Sequence, residues 1–541
     1  MLVIVAGIGV YANSFSGEFL LDDQREITKS EKIHHLWPPW DIVARGRRPV
    51  VDLSLAANYA IGGLNVWGYH AFNLAVHILA ALTVFGIVRR TLLRKGFRDR
   101  HEAGSSWFAL VVALIWVVHP LQTQSVTYII QRAESLMGLF YLVTVYCVAR
   151  VADSSRGRWW CAAAVAACAL GMGSKAVMVS APLVVLLYDR IFIAGSLAQI
   201  LRRRWGLYLG LAGTWSVLVV CGIVGGVLST SVRGTATVGF SFKGITPIEY
   251  ALTQPGVILH YLRLAVWPYP LCFDYVWSVA RTFGAVVPPA LVVIALLGAT
   301  LWAFWRKPRL GFVGAWFFLI LSPTSSFIPI KDPLFEHRMY LPLAAVVVLA
   351  VMSGHAVLEH LSHRFARVKA WRVPIACGVV LTIGGAFGYA TVKRNRDYHN
   401  DLRMWADVVA KRPDNYRAHL NLGNEYYRRK DYETALAHYR ETARIKPHYV
   451  TPHQYAAHCS WYLKRVDEGL GFYKTAAEVE EREFPNLFSV RLEYANHLAG
   501  VGRVDEALRI CEMILSKRPS NPQIEVGAQR LRQQILRQSG Q

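Results

Sequence analysis

Apolar residues in this chain come in long unbroken runs rather than in alternation with polar ones. Twelve such runs stand out, at 1–13, 67–88, 106–118, 136–149, 159–172, 176–189, 207–228, 249–267, 285–305, 311–328, 339–358 and 373–391. A helix that crosses a bilayer needs about 20 apolar residues, and it satisfies every backbone N–H and C=O within its own segment. The pattern therefore predicts an all-α, polytopic membrane domain over 1–392. The first run is short for a span. With no basic stretch before it and no clear cleavage site after it, it reads as a signal anchor rather than a removed signal peptide.

Charge sets the number of crossings. Basic clusters lie at Arg89, Arg90, Arg94, Lys95, Arg98 and Arg100, then at 150–158, 190–204, 306–309 and 363–372. If all are cytoplasmic, an even number of spans separates each from the next. Between Arg204 and Arg306 there are three apolar runs, so one should not cross. The run 249–267 is the best choice: it carries Gln254, Pro255, His260 and Arg263 and ends in Trp267-Pro268-Tyr269-Pro270, a composition suited to an interfacial or re-entrant segment. About eleven spans result. An inside N-terminus then puts both the loop after the first run and everything past residue 392 on the outer face.

Past Thr391 hydrophobicity drops and a repeat begins, which defines a second domain over 393–541. On a 34-residue frame from Tyr416, the chain has Leu422, Gly423, Tyr426, Ala435, Tyr439 and Pro447 at the tetratricopeptide repeat (TPR) positions, where small residues let two helices pack closely and proline ends the second. A frame from Phe488 repeats this with Ala495, Ala507 and Pro519. The stretch 450–483 fits more weakly, through Ala457, Gly469, Tyr473 and Ala476, with about four residues inserted before the next frame. Residues 400–412 resemble the second helix of a preceding hairpin, and 521–538 read as an amphipathic cap. Such arrays offer a concave surface to peptides, and Asn421 and Asn424 are the candidate acceptor-binding residues. The plainer alternative is a spacer or dimerisation module.

Composition agrees with a membrane protein and excludes other classes. The 541 residues are 54% hydrophobic with a mean hydropathy of +0.28. The net charge of +23 sits in short clusters between apolar runs, which is a topology signal; no nucleic-acid-binding motif accompanies it. The eight cysteines are scattered without CxxC spacing, so neither a disulfide framework nor a zinc site is implied. His34, His35, His70 and His337 lack metal-ligand spacing. There is no P-loop, no Rossmann glycine pattern and no Gly-x-Ser-x-Gly elbow, so nucleotide-driven transport and serine hydrolysis lack support.

Ionisable residues near spans are costly, so their placement is informative. The eleven-span topology gathers Asp22, Asp23, Arg132, Glu134, Lys175, Asp274, Lys331, Asp332 and the run Glu336-His337-Arg338-Met339-Tyr340 on the outer face. Acids and bases at one aqueous vestibule suit transfer of a group away from a phosphate. A carboxylate takes the proton from an acceptor hydroxyl, while Arg and Lys neutralise the departing phosphate. Duller readings stand beside this one: Asp22-Asp23 as an exposed turn, Arg132 with Glu134 as a local ion pair, and Lys175 snorkelling to the interface. A divalent cation, Mg²⁺ or Mn²⁺, on Asp22 and Asp23 is conceivable, although two carboxylates make an incomplete site.

The order of short motifs adds a resemblance. The acidic pair is followed by Arg48-Pro49, Asn58-Tyr59, Gly63-Leu64-Asn65 with Trp67-Gly68-Tyr69-His70, His119-Pro120, Gln131-Arg132-Ala133-Glu134, Ser174-Lys175 and Arg338-x-Tyr340-Leu341-Pro342, and then by the repeats. Together these resemble the transmembrane and TPR-containing O-mannosyltransferases and their bacterial relatives, a branch of the GT-C glycosyltransferases. The resemblance implies an inverting enzyme that moves a hexose, mannose first, from a polyprenyl-phosphate carrier to Ser/Thr hydroxyls of a protein on the extracytoplasmic face. One of Asp22 and Asp23 would be the base, with Asp23 preferred. Arg338 would bind the phosphate, helped by Glu336, His337, Tyr340, Arg132 and Lys175. Lys175 is followed by Ala176 where many relatives carry an acid, so that acid's role is lost or moved. The expected location is a bacterial inner membrane facing the periplasm, or a lumen-facing endoplasmic reticulum membrane in a eukaryote. Transfer to a glycolipid or polysaccharide, and a non-catalytic membrane-anchored scaffold, are the alternatives.

Overall fold

A computed structural model describes residues 1–538 except 95–103, 229–237, 241–243, 518 and 520, and except the side chain of Arg45. Lys95, Arg98 and Arg100 of the first basic cluster lie outside the described residues. Among those described, every regular element is a helix, apart from one isolated pairing of Val238 with Ile330. The chain forms two compact units. One is Met1–Phe273 with Trp277–Asn400; the other is Asp401–Gln541 with Asp274–Val276.

Among the described residues of the first unit, six helices are long and apolar enough to cross a membrane: Val66–Leu92, Ile129–Val151, Ala176–Ala194, Phe283–Arg306, Pro342–Arg364 and Arg372–Tyr398. This is a multi-pass membrane protein. The helices Ser105–Val118 and Pro120–Val126 make a seventh if taken as one span bent by 54°. The bend has a local cause: Pro120 cannot donate to the ladder, and His119 turns outward, accepting from Leu121 N–H through Nδ1 at 3.2 Å and meeting the Ala265 carbonyl through Nε2 at 3.1 Å.

Among the described residues, length and composition alone identify six or seven of the expected eleven spans. Helix Gly157–Met172 has 16 residues, a rise of about 24 Å. The run 207–228 is divided at Thr214 and again at Cys221-Gly222, where Gly222 takes φ +68°. Leu2–Ser16 and Pro308–Leu321 are apolar but short. The run 249–267 folds as one helix, Pro247–Val266, started by a reciprocal Thr246–Glu249 cap and outside the six. Burial separates the spans: Ile129–Val151 is 67% buried and forms the centre, whereas Phe283–Arg306 is 6% buried and presents Leu291, Ile294, Leu301 and Trp302 outward.

The segment between Tyr11 and Pro49 is compact. Ile27, Ile33 and Ile42 are buried against Val51, Leu55 and Ala56 of helix Pro49–Gly62, against Tyr69 and Val76, and against Ile129 and Ala133. Each fully buried Ile contributes about 1.5–3 kcal/mol, so this segment is an anchored layer and not a free loop.

The second unit is helical throughout. Helix Asp401–Lys411 precedes three hairpins, Tyr416–Arg428 with Tyr432–Ile445, Val450–Tyr462 with Val466–Glu483, and Ser489–Gly500 with Val504–Lys517; Pro522–Gln538 follows. Each hairpin turn places one residue in the left-handed region, Lys430, Lys464 and Gly502, at intervals of 34 and 38 residues. The extra four lengthen the helix Val466–Glu483, which has 18 residues against 14 in Tyr432–Ile445. Gly423 marks a close crossing, since a Cβ there would come within 2.8 Å of the Tyr439 ring. Ala435, Ala457, Ala476, Ala495 and Ala507 are wholly or almost wholly buried.

Candidate functional site

The adjacent carboxylates Asp22 and Asp23 face opposite ways. Asp22 is exposed, and its backbone N–H donates to the Tyr128 hydroxyl at 3.1 Å. Asp23 is fully buried: its Oδ2 accepts from Leu20 N–H at 3.0 Å and its Oδ1 from Ile130 N–H at 2.8 Å. Burial pushes the Asp23 carboxyl up to about 8, against the opposing pull of those two amides and, more weakly, of Arg132. Asp23 is thus enclosed by its backbone partners, whereas Asp22 is open to solvent. The two also do not converge on a shared cation. Among the described residues no three His, Cys, Asp or Glu side chains are grouped as a metal site.

Arg132 is a scaffold residue here, not an open phosphate ligand. It is fully buried, and Nε donates to Asn73 Oδ1 (2.9 Å), Nη1 to Asn58 Oδ1 (2.7 Å) and Nη2 to the Tyr69 carbonyl (3.1 Å). Its guanidinium also lies 4.6 Å from the Phe72 ring centre. The resemblance motifs around Asn58 and Gly63 to His70 thereby gain a physical role. Gly63, at φ +59°, turns the chain; Tyr69 Oη donates to the Gly63 carbonyl at 3.0 Å; and Asn65 caps helix Val66–Leu92 through Trp67 N–H at 3.1 Å. Arg132 ties both helices to the start of Arg132–Val151.

Glu134 pairs with Lys175 and not with Arg132: Lys175 Nζ donates to Glu134 Oε2 at 2.5 Å, with side-chain exposures of 14% and 2%. Lys175 arrives beside the start of helix Pro49–Gly62, where Val50 N–H donates to the Gly173 carbonyl at 3.2 Å. Burial holds the Lys175 ammonium below its ordinary value; Glu134 opposes this, while Arg48 and Arg338 add to it. His337 is likewise held well below its ordinary value, by burial first and then by Lys175, Arg338 and Arg48. Arg48, Lys175, Arg338 and His337 therefore share one electrostatic neighbourhood in which Glu134 is the acid paired with Lys175. Arg48 is exposed and Lys175 half-buried. Arg48 is the residue sequence reasoning left out of the site. Its signal was its place just before Pro49, the first residue of a helix, but its meeting with Lys175 is long-range.

The remaining sequence candidates lie deeper. Arg338 donates to the carbonyls of Pro333 (2.6 Å) and Asp332 (2.8 Å). Glu336 accepts from Cys272 N–H at 2.6 Å, and His337 meets Gln124 Oε1 through its backbone N–H and Nδ1 at 2.9 and 3.1 Å. Tyr340 is core: it is fully buried, its hydroxyl meets His77 Nδ1 at 3.0 Å, and its ring fills the space that Gly138 leaves open. In the second unit, Asn421 Nδ2 donates to the Arg417 carbonyl and Asn424 Oδ1 accepts from Tyr439 Oη, both at 2.8 Å. Asp274, expected at the vestibule, is instead clamped by Arg417 at 2.6 and 2.9 Å. A cavity of about 360 Å³ lined by Lys32, His34, His35, Trp37 and Asp41 includes neither Asp22 nor Asp23.

No family model matches the chain. Among curated proteins it is 23% identical over 80% of its length to the mouse Protein O-mannosyl-transferase TMTC4, covering 64% of that protein. It is 20% identical over 96% of its length to the mouse Protein O-mannosyl-transferase TMTC3, covering 60%, and 30% identical over 26% of its length to the human Protein O-mannosyl-transferase TMTC2, covering 17%. The chain thus spans less than two thirds of the length of each of these relatives. The similarity is low but extends over most of the chain, and the relatives it reaches are TMTC protein O-mannosyl-transferases.

Proposed function

We propose that this protein is an integral-membrane inverting glycosyltransferase that moves a hexose, mannose first, from a polyprenyl-phosphate carrier to Ser or Thr hydroxyls of a protein. The observation that carries this reading is the exposed Asp22 on an anchored layer, together with the cation neighbourhood of Arg48, Lys175, Arg338 and His337. Ile130, whose amide holds Asp23, and Glu134, which holds Lys175, are four residues apart on one segment, an axial rise of about 6 Å.

In the reaction, Asp22 takes the proton from the acceptor hydroxyl as its oxygen attacks the anomeric carbon. The bond from that carbon to the phosphate oxygen breaks, and the electron pair leaves with the lipid phosphate. Arg48 and Lys175 receive the developing negative charge, and the buried Arg338 adds to the field behind them. Asp23 and Arg132 position the Asp22 loop. The acceptor binds the helical hairpins, where the Asn424 amide nitrogen and the Asn421 amide oxygen are available. The site faces the extracytoplasmic side of a bacterial inner membrane, as the basic clusters at the opposite helix ends favour.

The test is transfer in nanodiscs from radiolabelled polyprenyl-phosphate mannose set against GDP-mannose, with peptide and glycolipid acceptors. Transfer from the lipid donor to peptide, lost in Asp22→Asn and in Arg48→Gln, is expected. No transfer from any lipid-linked sugar would overturn the reading and leave the scaffold alternative.

A further inference from the structure

A second group of cations, outside the proposed site, lies where helices Val66–Leu92, Arg132–Val151 and Gly157–Met172 have their basic ends. Arg90 and Arg94 share one acid, Asp153, at 3.4 and 3.5 Å, both long for ion pairs. Arg94 Nη2 also donates to the Ala149 carbonyl at 2.6 Å. Arg90 lies 5.5 Å from the Tyr146 ring centre, Tyr146 meets Trp160 edge-on at 6.3 Å, and Arg150 lies 4.8 Å from the Trp160 ring centre. The three guanidiniums thus form one continuous basic and aromatic surface.

Two features are unexplained by folding alone. Among the described residues, the Nε–H groups of Arg94 and Arg150 are buried with no hydrogen-bond acceptor. A buried donor left unpaired is costly, and here it happens twice beside a group of positive charges whose described acidic partner is Asp153. Exposed tryptophans, Trp107 at 68% and Trp159 at 65%, flank the group. Tryptophans of this kind sit at the level of lipid headgroups. Placing arginines near helix C-termini is favourable in itself, but that effect does not require burying part of the guanidinium without an acceptor for its Nε–H.

We propose that Arg90, Arg94 and Arg150 form a binding site for an anionic phosphate group at the membrane surface, with the phosphodiester of an acidic phospholipid as the ligand chemistry. Phosphate oxygens would accept from the outward Nη–H groups of the arginines, whose planar guanidiniums suit that geometry. Pockets of basic side chains between spans at the cytoplasmic side are suited to such headgroups.

The test is native mass spectrometry of the full chain in detergent, with phosphatidylglycerol, phosphatidylcholine or inorganic phosphate added. Selective retention of phosphatidylglycerol is expected, weakened roughly tenfold or more in the Arg94→Gln/Arg150→Gln variant because two charge-assisted hydrogen bonds are lost. Arg156→Gln/Arg158→Gln removes the same charge from exposed positions nearby and is expected to retain the lipid. Displacement by millimolar inorganic phosphate would assign the same site to free phosphate. Equal retention of both lipids, or equal loss in the two double variants, would overturn the proposal. If the first variant elutes as aggregate, Arg94→Lys, which keeps the charge but removes the planar guanidinium fork, takes its place with the same expected loss.

Discussion

Replacing Asp22 and Asp23 one at a time by Asn separates a chemical role from a positioning role. Asp23→Asn keeps one acceptor oxygen and turns the other into an NH₂ group that faces the N–H of Leu20 or Ile130. One hydrogen bond to a carboxyl that is mostly neutral near pH 7, worth roughly 0.5–1.5 kcal/mol, is lost, and a buried N–H is left unpaired at about 1–3 kcal/mol. The layer held by Ile27, Ile33 and Ile42 should loosen by about 1.5–4.5 kcal/mol in total. The Asp22 side chain is exposed, so Asp22→Asn should change stability by less than about 0.5 kcal/mol. Yet it should slow transfer by roughly 10²–10⁴-fold if its carboxylate is the general base. The assay pairs thermal unfolding in detergent, read as an apparent midpoint because such unfolding is commonly irreversible, with single-turnover transfer. The expected result is an unchanged midpoint with lost activity for Asp22→Asn, and a lowered midpoint with activity partly recovered on cooling for Asp23→Asn. If Asp22→Asn keeps its rate while Asp23→Asn abolishes it with no shift in midpoint, the assignment is wrong and Asp23 is the base.

Other expectations rest on the same geometry. Because burial raises the Asp23 carboxyl from an ordinary 3.8 to about 8, the folded chain keeps a proton that the unfolded chain loses between those values. Its contribution to stability is complete below about pH 4 and falls as pH rises toward 8; a melting series should show wild type losing stability over that window relative to Asp23→Asn, and parallel curves would refute it. Arg132→Lys should destabilise by roughly 2–4 kcal/mol, since one ammonium cannot replace three separate guanidinium contacts; a midpoint equal to wild type would count against the scaffold role. Glu134→Gln or Lys175→Met alone leaves a buried charge and should cost roughly 3–5 kcal/mol, whereas the combined Glu134→Gln/Lys175→Met variant should recover much of it. Strict additivity of the two midpoint shifts would show that the pair is not coupled. In the hairpins, Gly423→Ala drives a Cβ into the Tyr439 ring and should cost about 1–3 kcal/mol, visible as a lower midpoint for the repeat unit.

The sequence by itself determined whatever depends on local pattern. Runs of apolar residues specify helices and a multi-pass membrane protein because the backbone has no other way to satisfy itself in lipid. The 34-residue spacing of Gly423, Ala435 and their counterparts specifies helical hairpins because only small residues permit that approach. The acidic pair, the lysine and the arginines were legible as charged residues near spans. What the sequence could not determine was which of these charges are already taken. Nothing local distinguishes Asp22 from Asp23, and only the amide of Ile130, more than a hundred positions away, makes one buried and leaves the other open. Arg132 looked available until Asn58, Asn73 and Tyr69 closed around it, and Arg48, legible only as part of a motif, joins the site through the packing of Val50 against Gly173 beside Lys175. Span number was less legible, since parity arguments assume that every run is one continuous helix, while the run 207–228 breaks at Cys221-Gly222. Periodicity is a property of neighbours in sequence, so it predicts elements. Partnership is a property of neighbours in space, and for this site it decided which residues can meet a substrate.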